Sequence, residues 1–271
     1  MRANIGKYIF IAALFVLPVA VVTKFVLTKQ RRAGDQKQEA LLRVYIWPAE
    51  MQATAARVKA RQAQDETHNA MLVNLKSFVD AKLTEAPMCA MGNDENNLAD
   101  LPAGTNVYAG VPFNVQGSVQ LMGGWLKTYG KTYPSRVENL PIHRECSKIH
   151  LLHGAGAIKP ESFGAVVAKL VVHYEDGAIQ EINITAGHEV FDWWSPTFET
   201  GIPVSWRMPA PDTELAWVGS NNYLRERTPD LSLCVYRTSF ENSRPKAAIS
   251  TLDYVSTGTV ACPFLLGLTV E

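Results

Sequence analysis

The sequence predicts a mainly β domain, a two-sheet antiparallel sandwich, preceded by an N-terminal transmembrane helix and a helical stalk. Three observations carry this expectation. Tyr8 to Thr23 is an apolar run without a charge. Asp35 to about Ala70 is rich in Ala, Gln, Glu, Lys and Arg, good helix formers, with only Pro48 interrupting. Past Met71, short runs of Val, Ile, Tyr, Trp and Thr alternate with Gly, Pro, Asn and Asp. The expected division is therefore a membrane anchor over 1–34, spanning at about 8–28, a stalk or linker over 35–71, and a β-sandwich over 72–271.

The sixteen residues from Tyr8 to Thr23 make about 24 Å of helix, a little short of a hydrocarbon core of roughly 30 Å. If Lys24 snorkels, the span reaches Thr28 and fits. A secretory signal peptide competes, but PVAVVTKFVLTKQRR offers no A-x-A cleavage site, so an uncleaved single-pass anchor is preferred. Lys7 and Lys24 bracket the run, which disfavours a buried soluble helix. Lys24, Lys29, Arg31, Arg32 and Lys37 follow the span while Arg2 and Lys7 precede it, so flanking charge places the C-terminal bulk in the cytoplasm. In the stalk, Leu41, Leu42, Tyr45, Met51, Ala55 and Val58 form a loose apolar stripe that serves either a coiled-coil dimer or a solvated spacer.

Ten strands are expected in the β domain: Val107 to Ala109, Phe113 to Val115, Ser118 to Met122, Lys148 to His153, Ala165 to Tyr174, Ala178 to Thr185, Glu214 to Val218, Ser232 to Phe240, Ala247 to Ser256 and Phe264 to Val270. The clearest unit is a hairpin. Val166, Ala168, Leu170, Val172 and Tyr174 alternate with their neighbours, Glu175-Asp176-Gly177 turns the chain, and Ile182 and Ile184 then face the core. The stretches 122–140 and 192–213 are expected as long loops, where function concentrates. Lys plus Arg and Asp plus Glu both number 26, so no excess positive charge exists to neutralise a phosphate backbone, and nucleic acid is not an expected partner. Four cysteines, Cys89, Cys146, Cys234 and Cys262, include no CxxC pair and are too sparse for a disulfide scaffold. Their spacing does not say whether Cys146 and Cys262 pair.

The ordered series LPAGTNVYAGVPFNVQGSVQL, LPIHRECSKIHLLHGAG, AKLVVHYEDGAIQEINITAGHEVFDWW, ELAWVGSN, SLCVYRTSFENSRP and ISTLDYVSTGTVACPFLLGLTVE resembles galactose-binding-like jelly-roll modules, β-sandwich domains of bacterial carbohydrate-active enzymes and membrane-anchored bacterial proteins. The resemblance covers about Leu72 to Glu271 and leaves out the anchor and stalk. It implies a jelly-roll fold, often with a sugar-binding role and no catalysis of its own; no cofactor is expected, and the domain is expected outside the cytoplasm. Flanking charge argues the other way.

Motifs for chemistry remain incomplete. His188-Glu189-Val190-Phe191-Asp192 differs from the zinc-binding HExxH by Asp192 in place of the second histidine, and its setting between a strand and Trp193-Trp194 makes a helix improbable. His150 and His153, three apart on a strand, point to opposite faces. His153, His173 and His188 could converge from neighbouring strands, but backbone-satisfied histidines are the commoner outcome and no metal ligand is assigned. His153-Gly154-Ala155-Gly156 lacks the third glycine of GxGxxG, where Lys159 stands, and reads as a tight turn. Glu189 and Asp192 are the nearest pair to the two carboxylates of a glycosidase, a distant third reading. No catalytic residue is assigned.

Aromatic residues are the better clue, because sugars stack their C–H faces on rings while their hydroxyls bond polar groups. Trp193, Trp194 and Trp206 share one expected loop region; Trp125, Tyr129 and Tyr133 share another. Asp192, Arg207, Asn221 and Asn222 are polar partners if the loops meet. At least one of Trp193 and Trp194 is expected in the core. The leading expectation is a membrane-tethered carbohydrate-binding domain. A protein-binding or assembly role in the cell envelope, with self-association through the stalk, is the alternative.

Overall fold

A computed structural model describes residues 70–86, 95–196 and 212–271. The expected span, the stalk up to residue 69, Cys89, Trp206 and Arg207 lie outside them, and Met71, expected at the end of the stalk, opens β1. Among the described residues no helix is long and apolar enough to cross a membrane. The fold is mainly β. Its strands are β1 (Met71–Leu72), β2 (Gly104–Tyr108), β3 (Val111–Val115), β4 (Val119–Gln120), β5 (Arg136–Arg144), β6 (Lys148–Gly156), β7 (Val166–Tyr174), β8 (Ile179–Thr185), β9 (Trp194–Pro196), β10 (Thr213–Gly219), β11 (Leu231–Glu241), β12 (Ile249–Ser256) and β13 (Cys262–Val270). Among the described residues two short α-helices join them, α1 (Gly124–Thr128) and α2 (Asn222–Arg227), with one 3-10 turn at Pro160–Ser162.

A seven-stranded antiparallel sheet runs β1-β13-β6-β11-β10, with β4 beside β13 and β9 beside β11; a four-stranded antiparallel sheet runs β5-β12-β7-β8; β2 and β3 form a separate hairpin. The two larger sheets share one core, in which Leu151, Leu265 and Leu268 meet Leu140, Leu170, Val172, Leu252 and Tyr254. On the other face of the seven-stranded sheet, Leu152, Leu233, Val235, Phe264 and Leu266 pack with Tyr108, Phe113 and Val115 of the hairpin and with Tyr223 and Leu224 of α2. The central strands β6 and β13 are thus covered on both faces. Their sequences accordingly show continuous apolar runs in place of alternation.

The expected hairpin forms as β7 and β8. The N–H of Gly177 donates to Tyr174 O (3.0 Å) and the N–H of Tyr174 to Ala178 O (2.9 Å), and Gly177 sits at φ 84°, which glycine adopts without a Cβ penalty. Arg244 clamps the turn with both its Nη atoms on Asp176 (3.0 and 2.6 Å). A register shift between Val166 and Ala168 buries both Val167 and Ala168, and strict alternation holds only beyond it.

Three expectations are corrected. His153-Gly154-Ala155-Gly156 is no turn but the end of β6, and Gly154 is there for space: a Cβ would sit 2.5 Å from the ring tip of Phe264. The stretch 122–140 is no loop, since it holds α1 and the first half of β5. That strand escaped notice because Asn139 and His143 are left-handed (φ 61° and 50°) and Pro141 stands between them, which breaks the period-two pattern. The stretch 192–213 likewise contains β9 and the start of β10. Cys146 and Cys262 are both free, buried thiols.

Candidate functional site

Three of the residues singled out by sequence, Asp192, Trp193 and Trp194, lie in the segment that follows β8. There the chain makes a compact turn in which Gly187 N–H donates to Val190 O (2.8 Å) and Glu189 N–H to Thr185 O (3.0 Å). No helix forms at 188–192, so the one-turn spacing of a zinc motif has no structural basis. His188 instead pairs with the adjacent Glu189, whose carboxylate also accepts the N–H of Thr185 at 2.8 Å. Among the described residues no group of three His, Cys, Asp or Glu side chains could hold a metal ion.

Asp192 is a fastening point. Its Oδ2 accepts the N–H of Ile158 and its Oδ1 the N–H of Trp194, each at 2.8 Å, and its carbonyl accepts the Tyr236 hydroxyl at 3.1 Å. It thereby ties the end of β6, where Ala157 is left-handed (φ 61°), to the start of β9. Burial pushes its carboxyl up to about 7, against the pull of the Trp194, Ile158 and Ala157 amides. Trp193 is 5 % exposed and meets Phe264 edge-on at 6.5 Å, so it belongs to the core and offers no open ring to a ligand.

Trp194 is half-buried on β9. It lies 6.0 Å from Trp193 and stacks on Tyr223 at 5.8 Å and 29°, while the guanidinium of Arg227 sits over the Tyr223 ring at 5.2 Å. Phe264, Trp193, Trp194, Tyr223 and Arg227 thus form one row from core to surface, with Arg227 exposed. The indole N–H of Trp194 is buried and has no acceptor among the described residues. Half-buried Trp217 packs against the same cluster. Tyr223, Arg227 and Trp217 were missed by sequence reasoning; the Trp in ELAWVGSN was visible, but nothing local says which face it takes.

Asn221 is structural. Its Oδ1 caps α2 by accepting the N–H of Leu224 (2.8 Å), and its Nδ2 donates to Asn96 Oδ1 and Asn97 O, both at 3.0 Å. Asn222 is exposed and accepts from Arg225 at 3.3 Å. Asn221→Ala is expected to cost about 1–2 kcal/mol in chemical denaturation through the lost cap. An unchanged midpoint would show that the cap does not hold α2 under the aromatic row.

Trp125 and Tyr129 form a second aromatic pair on α1, 5.1 Å apart and tilted by 58°, with Tyr129 42 % exposed. No ring contact joins this pair to the Trp194 row among the described residues. Tyr133 is half-buried and its phenol is raised by burial, with Asp80 and Glu85 adding to the effect.

The histidines do not converge on one another as a ligand set. His150 and His153 do point to opposite faces: His150 Nδ1 lies 2.7 Å from Ser239 Oγ, and His153 Nε2 lies 2.9 Å from Thr238 Oγ1, on successive residues of β11. Burial pushes His153 down to about 3, so it is a neutral core side chain. His173 joins an arrangement that no motif announced. Asp253 accepts from Arg136 Nη2 (2.7 Å), from the N–H of Asn139 (3.0 Å) and from His173 Nε2 (2.9 Å). Burial would raise this carboxyl, but these three donors hold it below the usual carboxylate range. Their effect is to brace the left-handed bulge at Asn139 in β5. Comparison with known proteins finds no matching family model, no matching curated protein and no matching solved structure.

Proposed function

We propose that the β domain is a non-catalytic, jelly-roll carbohydrate-binding module, tethered to a membrane by the 8–28 span and directed at cell-wall or extracellular polysaccharide. The observation that carries this reading is the aromatic row ending in Trp194, Tyr223 and Arg227. Contacts with Trp193 and Tyr223 hold Trp194 in place, so a sugar meeting its exposed part would order few additional rotamers. Arg227 and Asn222, both exposed, are donors suited to sugar hydroxyls. The galactose-binding-like resemblance points the same way.

The test is binding of the full chain to a panel of polysaccharides and cell-wall fragments, with Trp194→Ala and Arg227→Ala beside it. Saturable binding that weakens about tenfold in Trp194→Ala, roughly 1.4 kcal/mol, with the fold intact by circular dichroism, is the expected result. Absence of saturable binding across the panel, or binding indifferent to both changes, would remove the proposal. A protein-binding role in the envelope is the second reading. Ile179, 63 % exposed on β8, favours it.

A further inference from the structure

The sheet edges are not alike. In the four-stranded sheet, β5 is a poor template for another strand: it carries Pro141, left-handed Asn139 and His143, two register shifts against β12, and the charges of Arg136, Glu138 and Arg144. In the seven-stranded sheet, β10 is interrupted by a register shift between Leu215 and Trp217, and β1 is two residues long. Among the described residues, the remaining edge of more than three residues in these two sheets is β8, which reads Ile-Gln-Glu-Ile-Asn-Ile-Thr, with no proline, no glycine, no left-handed residue and one charge. Ile179, Glu181 and Asn183 all expose their side chains.

The backbone of β8 is oriented for pairing. Ala178 O accepts the N–H of Tyr174 and the N–H of Ala186 donates to Ala165 O, so even-numbered residues turn their polar groups toward β7. Odd-numbered residues 179, 181 and 183 therefore turn theirs outward. The open stretch ends at Thr185, whose N–H is taken by the Glu189 carboxylate.

From this we propose that β8 is a self-association edge, on which a second copy of the chain pairs antiparallel about Ile182 and joins two four-stranded sheets into one of eight strands. The strand is complementary to a second copy of itself in one register. A two-fold at Ile182 sets Glu181 opposite the second copy's Asn183, Gln180 opposite Ile184, and Ile179 opposite Thr185. The strand's one acid meets an amide and keeps Lys169 at 2.7 Å on its own sheet. A two-fold at Glu181 would set the two glutamates against each other. The register about Ile182 also covers Ile179. This inference is independent of the carbohydrate reading.

The experiment takes the full chain and Asn183→Pro, which removes an outward N–H that makes no bond to β7. Light scattering should give a two-chain mass for the unaltered chain and a one-chain mass for Asn183→Pro, with similar thermal midpoints. A second measurement fixes the register without relying on proline. In a Cys89→Ser background, where Cys146, Cys234 and Cys262 are buried, Glu181→Cys and Asn183→Cys chains are oxidised separately and mixed. Opposed Cβ atoms about 4.5–5.5 Å apart should give a disulfide-linked pair in the mixture well above either chain alone. A one-chain mass for the unaltered chain, a two-chain mass that persists in Asn183→Pro, or linkage as strong in the unmixed chains would overturn the proposal.

Discussion

Trp193→Ala is expected to destabilise the β domain by about 3–5 kcal/mol, the usual cost of deleting a large aromatic from a core, whereas Trp194→Ala should cost far less and act on binding. The two neighbours separate because consecutive residues entering a strand take different environments. Trp193 is enclosed, its backbone bonded to Ala155 O (2.9 Å) and to the N–H of Cys234 (2.7 Å), and its ring set edge-on to Phe264. Trp194 is half in water and stacked on Tyr223. Urea denaturation of both variants decides the matter: equal losses, or a larger loss in Trp194→Ala, would reverse the assignment of core and surface.

A fall in stability as pH rises toward neutrality is the second large effect, and it should vanish in Asp192→Asn. Burial lifts the folded-state Asp192 carboxyl from 3.8 to about 7. Between those values the folded chain retains a proton that the unfolded chain has lost, so each pH unit subtracts up to about 1.4 kcal/mol from stability. The decline starts near pH 4, is complete a little above pH 7, and totals on the order of 4 kcal/mol at most, less what partial exposure of Asp192 screens. Asp253 works in the opposite sense, because its lowered carboxyl contributes stability above the usual carboxylate range that is lost as pH falls through its folded value. Thermal midpoints across pH 4 to 8 for the native chain and Asp192→Asn provide the check. Parallel curves would mean that Asp192 stays ionised, held by the amides of Ile158 and Trp194.

Each of the ten strands expected from sequence overlaps an observed one, and the reason is local. Where one face of a strand meets the core and the other meets water, as from Ala168 to Tyr174, alternation is written into residue type. That signal fails where both faces are covered, as in β6, so the glycines of HGAG looked like a turn when Gly154 was making room for Phe264. It also fails where backbone irregularity shifts the period, as at Asn139 and His143 in β5.

The site was legible as composition and not as geometry. Trp193, Trp194, Asp192 and Asn221 lie close together in chain or space, and sequence could nominate them for their chemistry. Their roles depend on residues far away: Phe264 makes Trp193 a core ring, Ile158 makes Asp192 a fastener, and Leu224 and Asn96 make Asn221 a cap. Tyr223 and Arg227 became part of the row only because α2 packs across the β9 end of the sheet.

By itself, then, the sequence determined the mainly β class, the antiparallel hairpin of β7 and β8, the opposed faces of His150 and His153, and the absence of a helix at 188–192, because periodicity and turn chemistry act over a few residues. Only the tertiary structure decided which tryptophan is buried, which carboxyl is lifted and which is lowered, and which sheet edge is left open among the described residues. Those outcomes depend on burial and on long-range backbone partners, and a residue's neighbours in the chain carry no record of either.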